Sequence, residues 1–330
     1  MKHRVGIVGL GMAVTPHARS LMELGNRAEV VAAYSRSARR RETFGAQFPF
    51  PPTGDLNSIF DDPDIDIVAV LTPPGSHLDL VERAAAAGKH VLLEKPLEIS
   101  TRRAEAMAAA AERAGITVAV MLQHRFKPAA ERLKHVLDQG DLGRIVGVSA
   151  HAPLWRPQSY YDVEGRGTRA RDGGGVLISQ AIHTLDLMLS LAGPVAQVKA
   201  FVGYGAAHKM ETEDIVAAAM RFESGAIGVL EATTAFYPGS AERIEVTGTA
   251  GTAVLAGTGL ELRWQDGRSE TLAPDALPGG VGADPMAFSH HYHLAVWRDF
   301  LDALDEGRPP RIPPREALKV HYLIDAILNG

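Results

Sequence analysis

No cysteine occurs among the 330 residues, which removes disulfides, thiolate nucleophiles and cysteine-ligated metals and suits a reducing compartment. No apolar run approaches the roughly 18 residues of a membrane-spanning helix. The short apolar stretch in MKHRVGIVGLG dissolves into glycines and reads as a buried strand, not a leader. An excess of positive charge is missing too. Against 34 basic residues stand 39 acidic ones, a formal charge of −5, which offers no electrostatic case for nucleic acid or a membrane surface. What is present is ordinary for a globular chain: 46% hydrophobic and 22% charged residues, and length enough for two domains. The expectation is a cytoplasmic protein acting on a small molecule.

The first third alternates between continuous apolar runs and helically spaced segments. RVGIVG, EVVAAYS, DIVAVLT, KHVLLEK and TVAVMLQ are apolar throughout, as strands of a parallel sheet covered on both faces must be. Helical segments lie between them; one is opened by Ser76 and Asp79 in the spacing of a capping box and closed by Gly88. Such a series implies a doubly wound, Rossmann-type parallel sheet over residues 1–122. From residue 123 to 330 the rhythm changes. A helix over Pro128–Asp138, a strand near Ile145–Ala150 and an irregular stretch from Pro153 to Gly175 precede a helix over Val176–Leu191. Closely spaced strands with Gly-containing turns follow, then helices near Ala287–Leu304 and Arg315–Leu328. This is an α+β domain with a large, mostly antiparallel sheet.

Gly9-Leu10-Gly11 stands where the first strand turns into the first helix, with Val14 where a third glycine is usual. Glycine lets the chain turn tightly and lets a pyrophosphate approach the backbone, while the helix N-terminus supplies N–H groups and positive dipole. Met12 and Ala13 complete that loop. The second strand ends Tyr34-Ser35-Arg36-Ser37, with Arg39, Arg40 and Arg41 beyond and no carboxylate before Glu42. An acid at this point would bond a ribose 2′-hydroxyl; Ser35, Arg36 and Arg40 suit a 2′-phosphate, so NADP(H) is preferred and NAD(H) is the alternative.

The strand VLLEK ends on Glu94-Lys95-Pro96. Strands of a doubly wound sheet deliver their carboxyl ends to the cofactor crevice. An ammonium beside a positively charged oxidised ring gives up its proton more readily, as a general acid/base near neutral pH requires.

Four motifs, GIVGLGMAVTPHARSL, TPPGSHLDLVERAAAAGKHVLLEKPL, GGGVLISQAIHTLDLML and DFLDALDEGRPPRIPPREAL, run through the chain. With them the sequence resembles the glucose-fructose oxidoreductase/inositol dehydrogenase (Gfo/Idh/MocA) family. The resemblance implies that Lys95 is catalytic and contacts the nicotinamide ribose, and that the Lys95–Pro96 bond is cis. Glu94 and the loop of Thr72, Pro73, Pro74 and His77 are implied to line the cofactor. It makes His183 the second catalytic group. Many relatives carry an aspartate four residues before that histidine; here the position is Ser179, which takes no proton, so an Asp–His dyad is not expected. His183 and Lys95 then share the acid/base work, with a water on Ser179. In one continuous helix Ser179, His183 and Asp186 share a face; Asp186 either orients the histidine or is a structural carboxylate. Arg125, with His124 and Lys127, follows the last Rossmann strand as in relatives and is assigned to the substrate cleft.

Trp155, Arg156, Tyr160, Tyr161 and Arg169 in the irregular stretch combine aromatic faces with hydrogen-bonding tips, the chemistry that binds a sugar, cyclitol or sugar acid. His290, His291 and His293 lack a carboxylate at ligand spacing within their run, so no metal is expected. The implied activity is hydride transfer between NADP(H) or NAD(H) and a secondary alcohol or carbonyl. A glycosidase that retains NAD through transient oxidation, or a non-catalytic ligand-binding relative, is the alternative. A homodimer or homotetramer is expected.

Overall fold

The computed structural model describes residues 2–275 and 289–330 and divides into two compact units. In the first, six parallel strands, β1 (His3–Val8), β2 (Ala28–Tyr34), β3 (Pro52–Thr53), β4 (Ile67–Val70), β5 (His90–Leu93) and β6 (Val118–Val120), lie in the order β3-β2-β1-β4-β5-β6. The order reverses between β1 and β4, which is where sheets of this topology place their ligands. All four residues of β4 are buried, as are the last three of β5, which is why these strands read as unbroken apolar runs.

The helices of this region are α1 (Val14–Glu23), α2 (Ala38–Gln47), α3 (Asn57–Phe60), α4 (His77–Ala86) and α5 (Thr101–Ala114). α5 shows how local chemistry sets its ends: Ser100 Oγ accepts the Arg103 N–H, and Gly115 closes the helix at φ 68°. The capping box read at Ser76 does not form. Its hydroxyl donates instead to Thr72 Oγ1 and Pro73 O, bracing a 3-10 turn over Pro74–Ser76.

The second unit holds an eight-stranded sheet of β7 (Ile145–Pro153), β8 (Val195–Tyr204), β9 (Glu213–Phe222), β10 (Ile227–Thr233), β11 (Arg243–Gly248), β12 (Gly251–Ala256), β13 (Gly259–Trp264) and β14 (Ser269–Leu272). Its order is β14-β13-β12-β11-β7-β10-β9-β8, antiparallel except where β10 runs parallel to β7. Burial alternates along β9 and β10, so one face is covered and the other open. The helices here are α6 (Pro128–Asp138), α7 (Gln158–Tyr161), α8 (Arg169–Asp172), α9 (Val176–Ser179) and α10 (Ile182–Ala192).

Two helices end the chain, α11 (His291–Glu306) and α12 (Pro314–Asn329). Residues 287 and 288 of the expected helix near Ala287–Leu304 lie outside the described residues. The compact units depart from the expected division into 1–122 and 123–330 in the C-terminal helices. The first unit comprises Met1–Leu122 and His290–Leu318; the second comprises Gln123–Ser289 and Lys319–Gly330. The reason is packing. α11 lies on α1, and its Leu294, Trp297, Phe300 and Leu301 are buried.

Candidate active site

At the glycine turn, Gly9 adopts φ 111°, and a Cβ there would sit 2.7 Å from Leu71 O, so only glycine fits. Gly11 is different: a Cβ would meet nothing within 4 Å. That open position precedes α1, whose start carries no side-chain cap and no acidic residue in its first turn. Residues 9–13, with Ala13 at the N-cap and Met12 half-exposed, fit a dinucleotide pyrophosphate by steric room and dipole. Beyond β2, Ser35 is buried, and its Oγ accepts the Ser37 N–H. Ser37 caps α2 by accepting from the Arg40 N–H. Arg41 donates to the carbonyls of Ser35 and Arg36, so it holds the loop, while the Arg36 and Arg40 side chains face solvent.

The Thr72–Pro74 loop follows β4. His77 is fully buried: Nε2 lies 2.8 Å from Thr72 O, and Nδ1 lies 3.0 Å from Pro96 O and 3.1 Å from Leu97 O. Burial pushes its pKa down. His77 was expected to line the cofactor. It is instead buried between the Thr72 loop and the segment after Lys95, with main-chain carbonyls facing both ring nitrogens, and the neutral ring donates to one of them.

Lys95 follows β5, and its bond to Pro96 is cis, as the resemblance implied. Glu94, immediately before it, is buried among side chains, not set at an open surface. Glu94 Oε2 accepts the Lys95 main-chain N–H at 3.0 Å, and Oε1 lies 2.8 Å from His17 Nε2. Trp297 Nε1–H donates to His17 Nδ1 at 3.1 Å, and His293 Nε2 is 3.8 Å from Glu94 Oε1. Burial acts to raise the Glu94 carboxyl, yet the His17 hydrogen bond and the neighbouring charge of Lys95 outweigh it and hold the group below the usual carboxylate range. Burial pushes His293 down to about 3, so its imidazole is neutral. Sequence reasoning missed His17, Trp297 and the role of His293. One signal was available: the period of α1 places His17 on the buried face with Val14, Ala18 and Leu21.

The run of histidines at 290–293 also reads differently in space. The carboxylate absent from its own sequence neighbourhood comes from α1, where Glu23 Oε1 meets His290 Nε2. The pair fastens the start of α11 to α1.

In the second unit the expected continuous helix over Val176–Leu191 is broken. Gln180 leaves the helical range at φ −120°, the Ala181 N–H reaches back to Val176 O, and the axis turns by 50° between Arg169–Ser179 and Ile182–Ala192. Ser179 and His183 therefore do not share a helix face, and the Ser179 hydroxyl points back to Gly174 O. His183 is largely buried at the start of α10 and stacks on His124, with centroids 4.6 Å apart. Glu242, which the sequence did not single out, lies 3.7 Å from His124 Nδ1 and accepts from Thr184 Oγ1.

Arg125, expected to bind substrate, forks onto Asp186 with N···O distances of 2.7 and 2.6 Å. Both side chains are buried to 10% exposure or less, which settles Asp186 as the anchor of the 3-10 turn over Gln123–Phe126. Tyr161 is also reassigned. It is buried, its hydroxyl donates to Thr234 Oγ1 at 3.0 Å, and burial pushes its pKa up to about 12, so it is a core residue. Arg169 is exposed beside Glu211. Trp155 meets the Tyr237 ring edge-on at 5.1 Å, and Tyr160 lies 3.9 Å under the Arg166 guanidinium. Arg156 is buried, donates to Trp155 O, and burial lowers its pKa. Lys127 is buried with Nζ at Gly257 O, and desolvation lowers its pKa.

Comparison with known proteins decides the family. An oxidoreductase family with an NAD-binding Rossmann fold matches residues 3–122, and the GFO/IDH/MocA C-terminal domain matches residues 130–254. The chain belongs to the Gfo/Idh/MocA oxidoreductase family. Within it, scyllo-inositol 2-dehydrogenase (NAD(+)) of Bacillus subtilis is 29% identical over 326 residues, 96% of this chain and 91% of that one. A 1-carboxy-3-chloro-3,4-dihydroxycyclo hexa-1,5-diene dehydrogenase of Comamonas testosteroni is 34% identical over 230 residues, 67% of this chain but only 55% of the relative's length. The WlbA dehydrogenase from Bordetella pertussis, crystallised with NADH and UDP-GlcNAcA, superposes with a TM-score of 0.85 at 29% identity over 100% of this chain and 96% of that one.

Proposed function

We propose that this family member is a nicotinamide-dependent dehydrogenase or reductase that interconverts a secondary alcohol and a carbonyl on a sugar, cyclitol or sugar acid. The observation that carries the reading is Lys95, presented after β5 beside an anchored Glu94 in an NAD-binding Rossmann domain. The cofactor, when bound, supplies or accepts the hydride. Gly9 and Gly11 admit its pyrophosphate, and α1 turns an uncapped, positive end to it. Lys95 and His183 are the groups assigned to the hydroxyl proton. Trp155 and Tyr160 supply aromatic faces of the kind that sugar rings pack against. The names of the relatives, an inositol, a dihydroxycyclohexadiene carboxylate and a UDP-sugar acid complex, support a polyhydroxylated ring.

The test is calorimetric binding of NADPH and NADH, followed by turnover on a panel of cyclitols, aldoses and uronic acids. Lys95→Ala is expected to keep cofactor binding and to lower kcat by about a hundredfold or more; retained turnover would remove Lys95 from the mechanism. NADP(H) is the proposed preference, supported by Ser35, Arg36 and Arg40 at the end of β2 and the lack of an acid there. Arg36→Asp should then shift the kcat/KM ratio toward NAD. Tighter binding of NADH by the unaltered chain overturns that preference. A second copy of the chain is the proposed cover for the open sheet face, where Phe201, Ile215, Ile227 and Val229 stand exposed. Light scattering that finds only a monomer would refute it.

A further inference from the structure

His17, Glu94, His293 and Trp297 bring three separate segments together in the first unit, and all four are buried. The hydrogen bonds among them have a direction that chemistry dictates. An indole nitrogen only donates, so the 3.1 Å contact makes His17 Nδ1 the acceptor. A neutral imidazole with Nδ1 accepting carries its proton on Nε2. That proton lies on the 2.8 Å line to Glu94 Oε1. Glu94 in turn uses its other oxygen on the Lys95 N–H. The bonds therefore run one way, from Trp297 through His17 to Glu94, and end on the main chain that carries Lys95.

We propose that His17 and Trp297 are positioning residues for Lys95: Trp297 selects the His17 tautomer, His17 orients the Glu94 carboxylate, and Glu94 fixes the backbone from which the ammonium is presented. The inference rests on the proton-transfer role proposed for Lys95. It also explains what α11 contributes to the first unit, since Trp297 arrives from 280 residues beyond His17. His293 packs edge-on against His17 at a centroid distance of 5.1 Å and walls the carboxylate from that side.

The same three titratable groups, His17, Glu94 and His293, have ligand atoms within 4.8 Å of one another, as a metal site would. The Trp297 bond speaks against that use. A metal needs a bare nitrogen. Freeing His17 Nε2 while keeping the ring neutral moves the proton to Nδ1, where it faces the Trp297 N–H. The direct His17–Glu94 bond already fills the position.

Two measurements test the proposal, one of them independent of turnover. In protein with ¹⁵N-labelled histidine, NMR should show His17 protonated at Nε2 and bare at Nδ1. Trp297→Phe, which keeps an aromatic ring and removes the donor, should yield a tautomer mixture. An Nδ1–H tautomer or an imidazolium in the unaltered protein overturns the proposal. In kinetics, His17→Leu should lower kcat by about a hundredfold, the scale of a misplaced reacting group, with KM for cofactor within about threefold of the unaltered protein. His17→Gln, which restores an N–H toward Glu94, should recover most of the loss. If His17→Leu does not fold, Trp297→Phe carries the kinetic test with a smaller fall in kcat. Unchanged kcat in both His17 variants, with Lys95→Ala still inactive, overturns the positioning role and leaves the function standing. Turnover retained by Lys95→Ala overturns the function itself, and with it the purpose of the relay.

Discussion

Arg125 separates two accounts of this protein most sharply, because sequence reasoning made it a substrate ligand and the structure makes it the partner of Asp186. Arg125→Met keeps the aliphatic stem and removes the guanidinium that supplies two charge-assisted hydrogen bonds of 2.7 and 2.6 Å. Asp186 is 1% exposed, so its carboxylate has no access to water in compensation. Breaking a buried pair from one side costs about 3–5 kcal/mol. In a unit of this size each kcal/mol moves Tm by about 2–4 °C, so a fall of about 6–20 °C is expected by calorimetry, with a matching shift of the urea midpoint. Replacing both partners, Arg125→Met with Asp186→Leu, should recover most of that loss, since two apolar side chains leave no buried charge. Substrate KM, measured below the new Tm, should change little beside the stability. An Arg125→Met protein with unchanged Tm and a strongly raised KM would refute the structural assignment and restore the substrate role.

Gly11→Ala should leave stability within about 0.5 kcal/mol of the parent, because its Cβ meets nothing, yet raise the NADH or NADPH Kd at least about tenfold by filling the space for the pyrophosphate. Gly9→Ala, at φ 111° and 2.7 Å from Leu71 O, should destabilise by about 1–3 kcal/mol as well; calorimetric melts and titrations distinguish the two. Asp214 accepts the N–H groups of Ala206, Ala207 and His208 and a bond from His208 Nδ1. Burial acts to raise it, but those bonds outweigh burial and lower its pKa. Its folded-state pKa is below the unfolded value of about 3.9, so its stabilisation is complete above that pH and is lost as pH falls through the depressed value. Asp214→Asn should therefore cost about 1–3 kcal/mol at neutral pH and flatten the acid limb of a stability–pH curve; an unchanged acid limb contradicts the assignment. Tyr161→Phe should cost about 1 kcal/mol through the lost bond to Thr234 and leave substrate KM unaltered; a raised KM without a stability loss would return Tyr161 to the substrate site.

Much of the fold was legible because its causes are local. Continuous apolar strands, the glycine at the β1–α1 turn and the Gly115 end of α5 act through neighbours in the chain. Lys95 was legible for the same reason: a strand of a doubly wound sheet presents its carboxyl end wherever the strand stops. Local rules failed where a tertiary partner competed. Ser76 reads as a helix cap, but its hydroxyl is taken by Thr72 and Pro73. Ser179 and His183 read as one helix face, and Gln180 breaks the helix between them.

The sequence by itself determined the strand–helix alternation of the first third, the cofactor-type turn, the position of Lys95 at a strand end and the family. Only the tertiary structure decided that Arg125 serves Asp186, that Tyr161 belongs to the core, that α11 joins the first unit and that Trp297, His17 and Glu94 stand behind Lys95. The physical reason is that a buried polar side chain must find a partner, and the pattern around it marks the need without naming the partner. A histidine on the apolar stripe of α1 shows that a hydrogen bond is required; which indole and which carboxylate meet it is set by the path of the chain 280 residues later.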